Sequence, residues 1–134
     1  MYKRQTIDKA KLNTELKASA DMLSKELNDM KKVLLHLNQY AIKGEIERYL
    51  SDATVFMEMA SYIVIAWQWL KMANIAKEKI AIEDFKTNSR SFYEGKIHTM
   101  YFFFKYELPH TAACAETLLN TSTLTNLQNL ELFL

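Results

Sequence analysis

The run Ala53-Thr54-Val55-Phe56-Met57-Glu58-Met59-Ala60-Ser61-Tyr62-Ile63-Val64-Ile65-Ala66-Trp67-Gln68-Trp69-Leu70 decides the fold class. Glu58 is its one charged side chain, and it holds no glycine or proline. Read at a helical period, an apolar stripe passes through Ile46, Tyr49, Leu50, Ala53, Phe56, Met57, Ala60, Ile63, Val64, Trp67 and Leu70. A second stripe, about half a turn away at ~100° per residue, takes Val55, Met59, Tyr62, Ala66, Trp69, Ala73, Ala76 and Ile80. The uncharged part, Met59 to Leu70, falls short of the ~20 residues needed to span a bilayer and is flanked by Glu58 and Lys71. It therefore reads as a buried helix of a bundle, running over 45–81, with Ser51-Asp52 as the one place for a break or a new cap.

Upstream, Ala20, Leu23, Leu27, Met30, Leu34, Leu37 and Ala41 alternate by three and four, the seam of a helix packed at a shallow angle. Lys17, Asp21, Lys25 and Asp29 form a ridge of alternating sign on its other side. This predicts one helix over 6–43, closed by Gly44. Downstream, 82–90 reads as a connection and Ser91-Phe92-Tyr93-Glu94 as a capping box. Tyr93, Ile97, Met100, Phe104 and Leu108 then stay in phase with Thr111, Ala115 and Leu118 across Pro109. The expectation is a kinked helix over 89–119, with two shorter helices as the alternative. Residues 120–134 form a short C-terminal tail. The fold class is all-α: one domain over 1–134, an up-down-up bundle of three long helices.

Composition narrows the function. The chain has 134 residues, with glycine only at Gly44 and Gly95 and proline only at Pro109. No Gly-rich loop able to cradle a phosphate is present, which excludes dinucleotide-binding and P-loop folds. A formal charge of +1 provides no global field toward nucleic acid or an acidic membrane. The basic clusters Lys3, Arg4, Lys9, Lys11 and Lys31, Lys32 read as solvated helix face. Cys114 is the single cysteine, so there is no intrachain disulfide framework, and the charged N-terminus has no secretory pattern; a cytoplasmic location is expected.

No constellation carries chemistry. A di-metal bundle needs two Glu-x-x-His motifs and two further glutamates, whereas Glu107-x-x-His110 stands alone. Cys114 lies four residues after His110 but inside the small-residue patch Ala112-Ala113-Cys114-Ala115, where cysteine packs as an apolar group. Trp67 and Trp69 read as packing residues and the seven methionines as core filler. Catalytic, cofactor-binding and metal residues are therefore assigned to none. The second stripe of the central helix is another matter. Opposite stripes cannot both be covered inside a three-helix bundle unless the terminal segment folds over one, so Val55, Met59, Tyr62, Trp69 and Ala73 are expected to meet a partner, with Trp69 as the anchor.

The run 53–70, with its Trp67-Gln68-Trp69-Leu70 step, resembles the central helix of the C-terminal accessory domain found in one branch of the acyl-CoA dehydrogenases. Phe92-Tyr93-Glu94-Gly95-Lys96-Ile97, then Tyr101-Phe102-Phe103-Phe104 and Leu108-Pro109, are similar to that domain's last long helix, in the same order and spacing. The likeness covers about 16–119. It departs at Ser61-Tyr62, where the family often has Gly-His. The resemblance implies a helical bundle beside a flavoenzyme core that oxidises an acyl-CoA to an enoyl-CoA with FAD and a carboxylate base. Those FAD-binding and catalytic residues belong to the core and map onto no position here. The implied role is a structural or assembly domain of a longer flavoenzyme, not catalytic and binding no cofactor by itself. Its partners would be the dehydrogenase core or a second copy, giving a homo-oligomer with no nucleic acid and no membrane span. The alternative is a free-standing helical protein–protein interaction module.

Overall fold

The computed structural model describes residues 2–120 and 124, and the expected C-terminal tail lies otherwise outside the described residues. Six helices follow in order: α1 (Tyr2–Lys11), α2 (Lys17–Ile42), α3 (Ile46–Leu50), α4 (Ala53–Ala81), α5 (Arg90–Tyr106) and α6 (His110–Leu119). Among the described residues there is no strand. The chain is an all-α bundle.

The single helix expected over 6–43 is two helices. After Lys11 the Asn13 side chain accepts from the Glu15 amide at 3.0 Å, and its carbonyl accepts from Leu16 and Lys17. Asparagine thus gives the backbone a turn that competes with continued helix. The chain folds back, so that Lys11 stands 3.5 Å from Asp21. Ile7 and Ala10 of α1 are buried, and the helix lies over both α2 and α4. Its tethers to α4 are polar: Trp67 Nε1 donates to Thr6 Oγ1 at 2.9 Å, and Asn74 Nδ2 donates to the Thr6 carbonyl at 3.1 Å.

Two helix ends use the same device. Gly44, at φ +79°, lets the Glu45 amide reach back to the Tyr40 carbonyl at 2.9 Å. At the end of α4 the Asp84 amide does the same to Lys79 at 3.0 Å, with Glu83 at φ 52° in the left-handed position. A side chain there costs about 1 kcal/mol relative to glycine. The break foreseen at Ser51-Asp52 separates α3 from α4. The cap of α5 is Ser89, whose hydroxyl accepts from Phe92 N at 3.3 Å. It is not the Ser91/Glu94 box, since Ser91 Oγ lies 2.9 Å from Ser89 Oγ and Glu94 pairs with Arg90.

At Pro109 the expected kinked helix over 89–119 becomes two helices. The Leu108 amide bonds five residues back to Phe103, and the amides of His110 and Thr111 then bond three residues back. Proline supplies no donor, and the turn tightens around it. Burial nevertheless carries through, because Met100, Phe104, Leu108, Thr111, Cys114, Ala115 and Leu118 are all inside.

The core joins this stripe to Leu16, Ala20, Leu23 and Val33 of the α2 run and to Met59, Ile63, Ala66, Leu70, Ala73 and Ala76 of α4. Cross-links fix the register: Glu15, just before α2, pairs with Lys77 near the end of α4, and its carbonyl accepts from Tyr101 of α5.

Candidate functional site

The buried seam of α4 runs Met59, Ile63, Ala66, Leu70, Ala73, alternating by four and three. It draws from both stripes read in the sequence. Met59 and Ala73 have no accessible surface at all. Two of the five residues expected to meet a partner are therefore core, because α1 and the α5–α6 run close over that side of the helix. Val55, Tyr62 and Trp69 are half-buried. Trp69 packs against the core with the Lys96 ammonium 5.7 Å from its ring. Tyr62 meets the His110 ring at 5.5 Å. Burial first, then the nearby charge of Glu58 and Glu107, raises the Tyr62 phenol above its ordinary pKa.

The apolar surface of α4 that stays open lies on the opposite side. Met57 is 63% exposed, Val64 40%, Ile75 44% and Ile82, the residue closing the helix, 70%. Their spacings of seven, eleven and seven are two, three and two helical turns, so the four stand in one row. Ile65 on α4, and Ile46 and Leu50 on α3, are further exposed apolar side chains. Sequence periodicity found the apolar residues without telling which side neighbouring helices would cover. By length and composition Ile46–Ala81 reaches the minimum for a membrane-crossing helix. Only 17% of its most apolar window is buried inside the bundle.

The groups with reactive side chains are placed as follows. Cys114 is buried, and its thiol pKa is pushed up by desolvation and then by Glu58. A thiol so placed is a poorer nucleophile than a free cysteine. His110 Nδ1 stands 3.9 Å from Glu107. Among the described residues no group of three or more His, Cys, Asp or Glu side chains gathers as a metal site. A buried polar contact not foreseen in the sequence joins α2 to α6: the Thr111 hydroxyl lies 2.6 Å from Glu26 Oε2 and 2.7 Å from the Leu108 carbonyl. Glu26 is 8% exposed, and its other oxygen receives Lys25 Nζ at 3.1 Å. A glutamate at 26 falls between core positions Leu23 and Val33 in the α2 stripe, and that polar break in an apolar phase was the available signal.

The fold defines an all-α helical domain with exposed apolar side chains spaced along one line of α4. The family described as acetyl-CoA dehydrogenase C-terminal like matches residues 3–128, and the chain belongs to that family. No curated protein and no solved structure matches the chain.

Proposed function

We propose that this chain is a structural and assembly domain of an acyl-CoA dehydrogenase family protein, and that it associates through the open row of α4 with the same row on a second copy. The observation that carries the reading is the row itself: Met57, Val64, Ile75 and Ile82 stay exposed on a helix whose other side fills the core. Two-fold pairing suits it. An antiparallel contact at the level of Ala66 sets Met57 of one copy opposite Ile75 of the other, with Ser61 opposite Lys71 and no like charges facing. From Met57 to Ile82 the strip is about 38 Å long, and at ~10 Å wide it offers roughly 400 Å², shared with the intervening Ser61, Gln68, Lys71 and Glu78. That equals the largest patches seen on monomers and lies below the ~800 Å² per partner of a standard interface. The contact is accordingly weak, and association depends on concentration.

Light scattering after size exclusion tests this. The wild-type chain is expected to shift from monomer toward dimer as concentration rises from micromolar to about a millimolar. Met57→Glu/Ile75→Glu is expected to remain monomeric with unchanged helicity. A wild-type monomer at the highest concentration would remove the second copy and leave the row to another part of a longer protein. Wild type that associates only on neutral lipid vesicles would assign it to a membrane surface.

The flavin chemistry of the family belongs, on this reading, to a core outside these residues. Purified with excess FAD, the chain is expected to retain no stoichiometric flavin and to leave butyryl-CoA unoxidised. An absorbance spectrum with a flavin band that bleaches on adding the thioester would count decisively against the assignment.

A further inference from the structure

The two basic clusters read in the sequence as solvated helix face come together in the fold. Because α1 folds back on α2, Lys3, Arg4 and Lys11 on one wall meet Lys31 on the other, across a groove of about 550 Å³. Asp8 is the one carboxylate lining it, against Arg4, Lys11 and Lys31, while Lys3 turns its ammonium toward Trp67. Ile7 and Leu27 form an apolar floor.

The cations of this groove are not alike. Lys3 holds its ammonium 5.7 Å from the Trp67 ring, and Lys11 has Asp21 at 3.5 Å. Arg4 and Lys31 make no ion pair among the described residues, whereas Lys9, Lys25 and Lys32 on the same two helices each hold a carboxylate. Like charges gathered over an apolar floor repel one another and lower stability when nothing binds between them. The volume suits a small organic ligand. The fork of Arg4 matches a phosphate or carboxylate in two-point contact, and Lys31 adds a point charge.

We infer that the α1–α2 groove binds a small organic polyanion of nucleotide size, its anionic groups on Arg4 and Lys31 and its apolar part against Ile7 and Leu27. The groove and the open row of α4 are separate surfaces, so this inference does not depend on the assembly role. An isolated anion reaches only the cations. A ligand that also covers the floor gains from burying apolar surface and is held more tightly.

Titration calorimetry with inorganic pyrophosphate and with ADP, at low salt, tests both parts. Saturable one-to-one binding is expected, with ADP several-fold tighter than pyrophosphate and both weakened by added salt. Arg4→Gln/Lys31→Gln is expected to lose affinity at least about tenfold, a change of ~1.4 kcal/mol. Lys17→Gln, an exposed lysine on α2 outside the groove, is expected to change nothing. Thermal melts give a second readout, in which pyrophosphate raises the midpoint of wild type and leaves the double variant unmoved. No saturable binding of either probe, or equal binding by the double variant, overturns the site. A single-stranded oligonucleotide binding orders of magnitude more tightly than ADP overturns the small-ligand class in favour of nucleic acid.

Discussion

Met59→Lys is expected to destabilise the chain by at least about 4 kcal/mol, whereas Met57→Lys, two residues earlier on the same helix, changes stability by no more than about 0.5 kcal/mol. Met59 is fully enclosed and Met57 is 63% exposed. Met59 belongs to the buried apolar cluster with Ile63 and Ala66 on the same side of α4. Leaving a charge uncompensated inside costs ~3–5 kcal/mol, to which the loss of the methionine's packing is added. Whole domains of this size are stable by only about 5–15 kcal/mol. Urea denaturation followed by circular dichroism measures both. Equal effects at the two positions would mean that α4 is rotated from the orientation described and that the open row is misplaced.

Thr111→Val is expected to cost about 2–3 kcal/mol, more than a hydroxyl-to-methyl exchange at an ordinary buried site. The substitution keeps the shape but removes the hydroxyl 2.6 Å from Glu26 Oε2. Glu26 then has only Lys25 beside it, itself largely in solvent. Leaving a buried charged group short of a hydrogen bond costs more than the net worth of that bond. The cycle with Glu26→Leu separates the contributions. Once the carboxylate is gone, Thr111→Val should cost far less, giving a coupling of roughly 1.5 kcal/mol or more between the two sites. Additive effects within about 0.5 kcal/mol would show that α2 and α6 are held together by apolar packing alone.

The family resemblance was legible because it rests on linear order: the Trp67-x-Trp69-Leu70 step, then Phe92-Tyr93-Glu94, then Leu108-Pro109. The family match over residues 3–128 includes all three. The candidate surface was only half legible. Apolar residues encircle α4, so the hydrophobic pattern could name the two stripes without saying which of them lay inside. The assumption of three helices left one stripe uncovered. In the fold α1 supplies a fourth packed element, and Met59 and Ala73 go inside while Met57 and Val64 stay out. The signal for that extra element was Asn13, whose side chain turns the backbone, but its phase with the apolar seam begins only at Leu16.

What the sequence by itself determined is what depends on neighbours along the chain. Scarce glycine and proline set the helical class, Gly44 and Ser51-Asp52 set two boundaries, and the phase carried across Pro109 put Thr111, Ala115 and Leu118 inside although the helix itself is broken there. What only the tertiary structure decided is what depends on which surfaces meet. The return of α1 buried one side of α4, set Arg4 across a groove from Lys31, and Glu26 found Thr111 a long way along the chain. Periodicity fixes the angle of a side chain around its own helix axis; it holds no information about which other helix lies at that angle, and burial is settled by the neighbour.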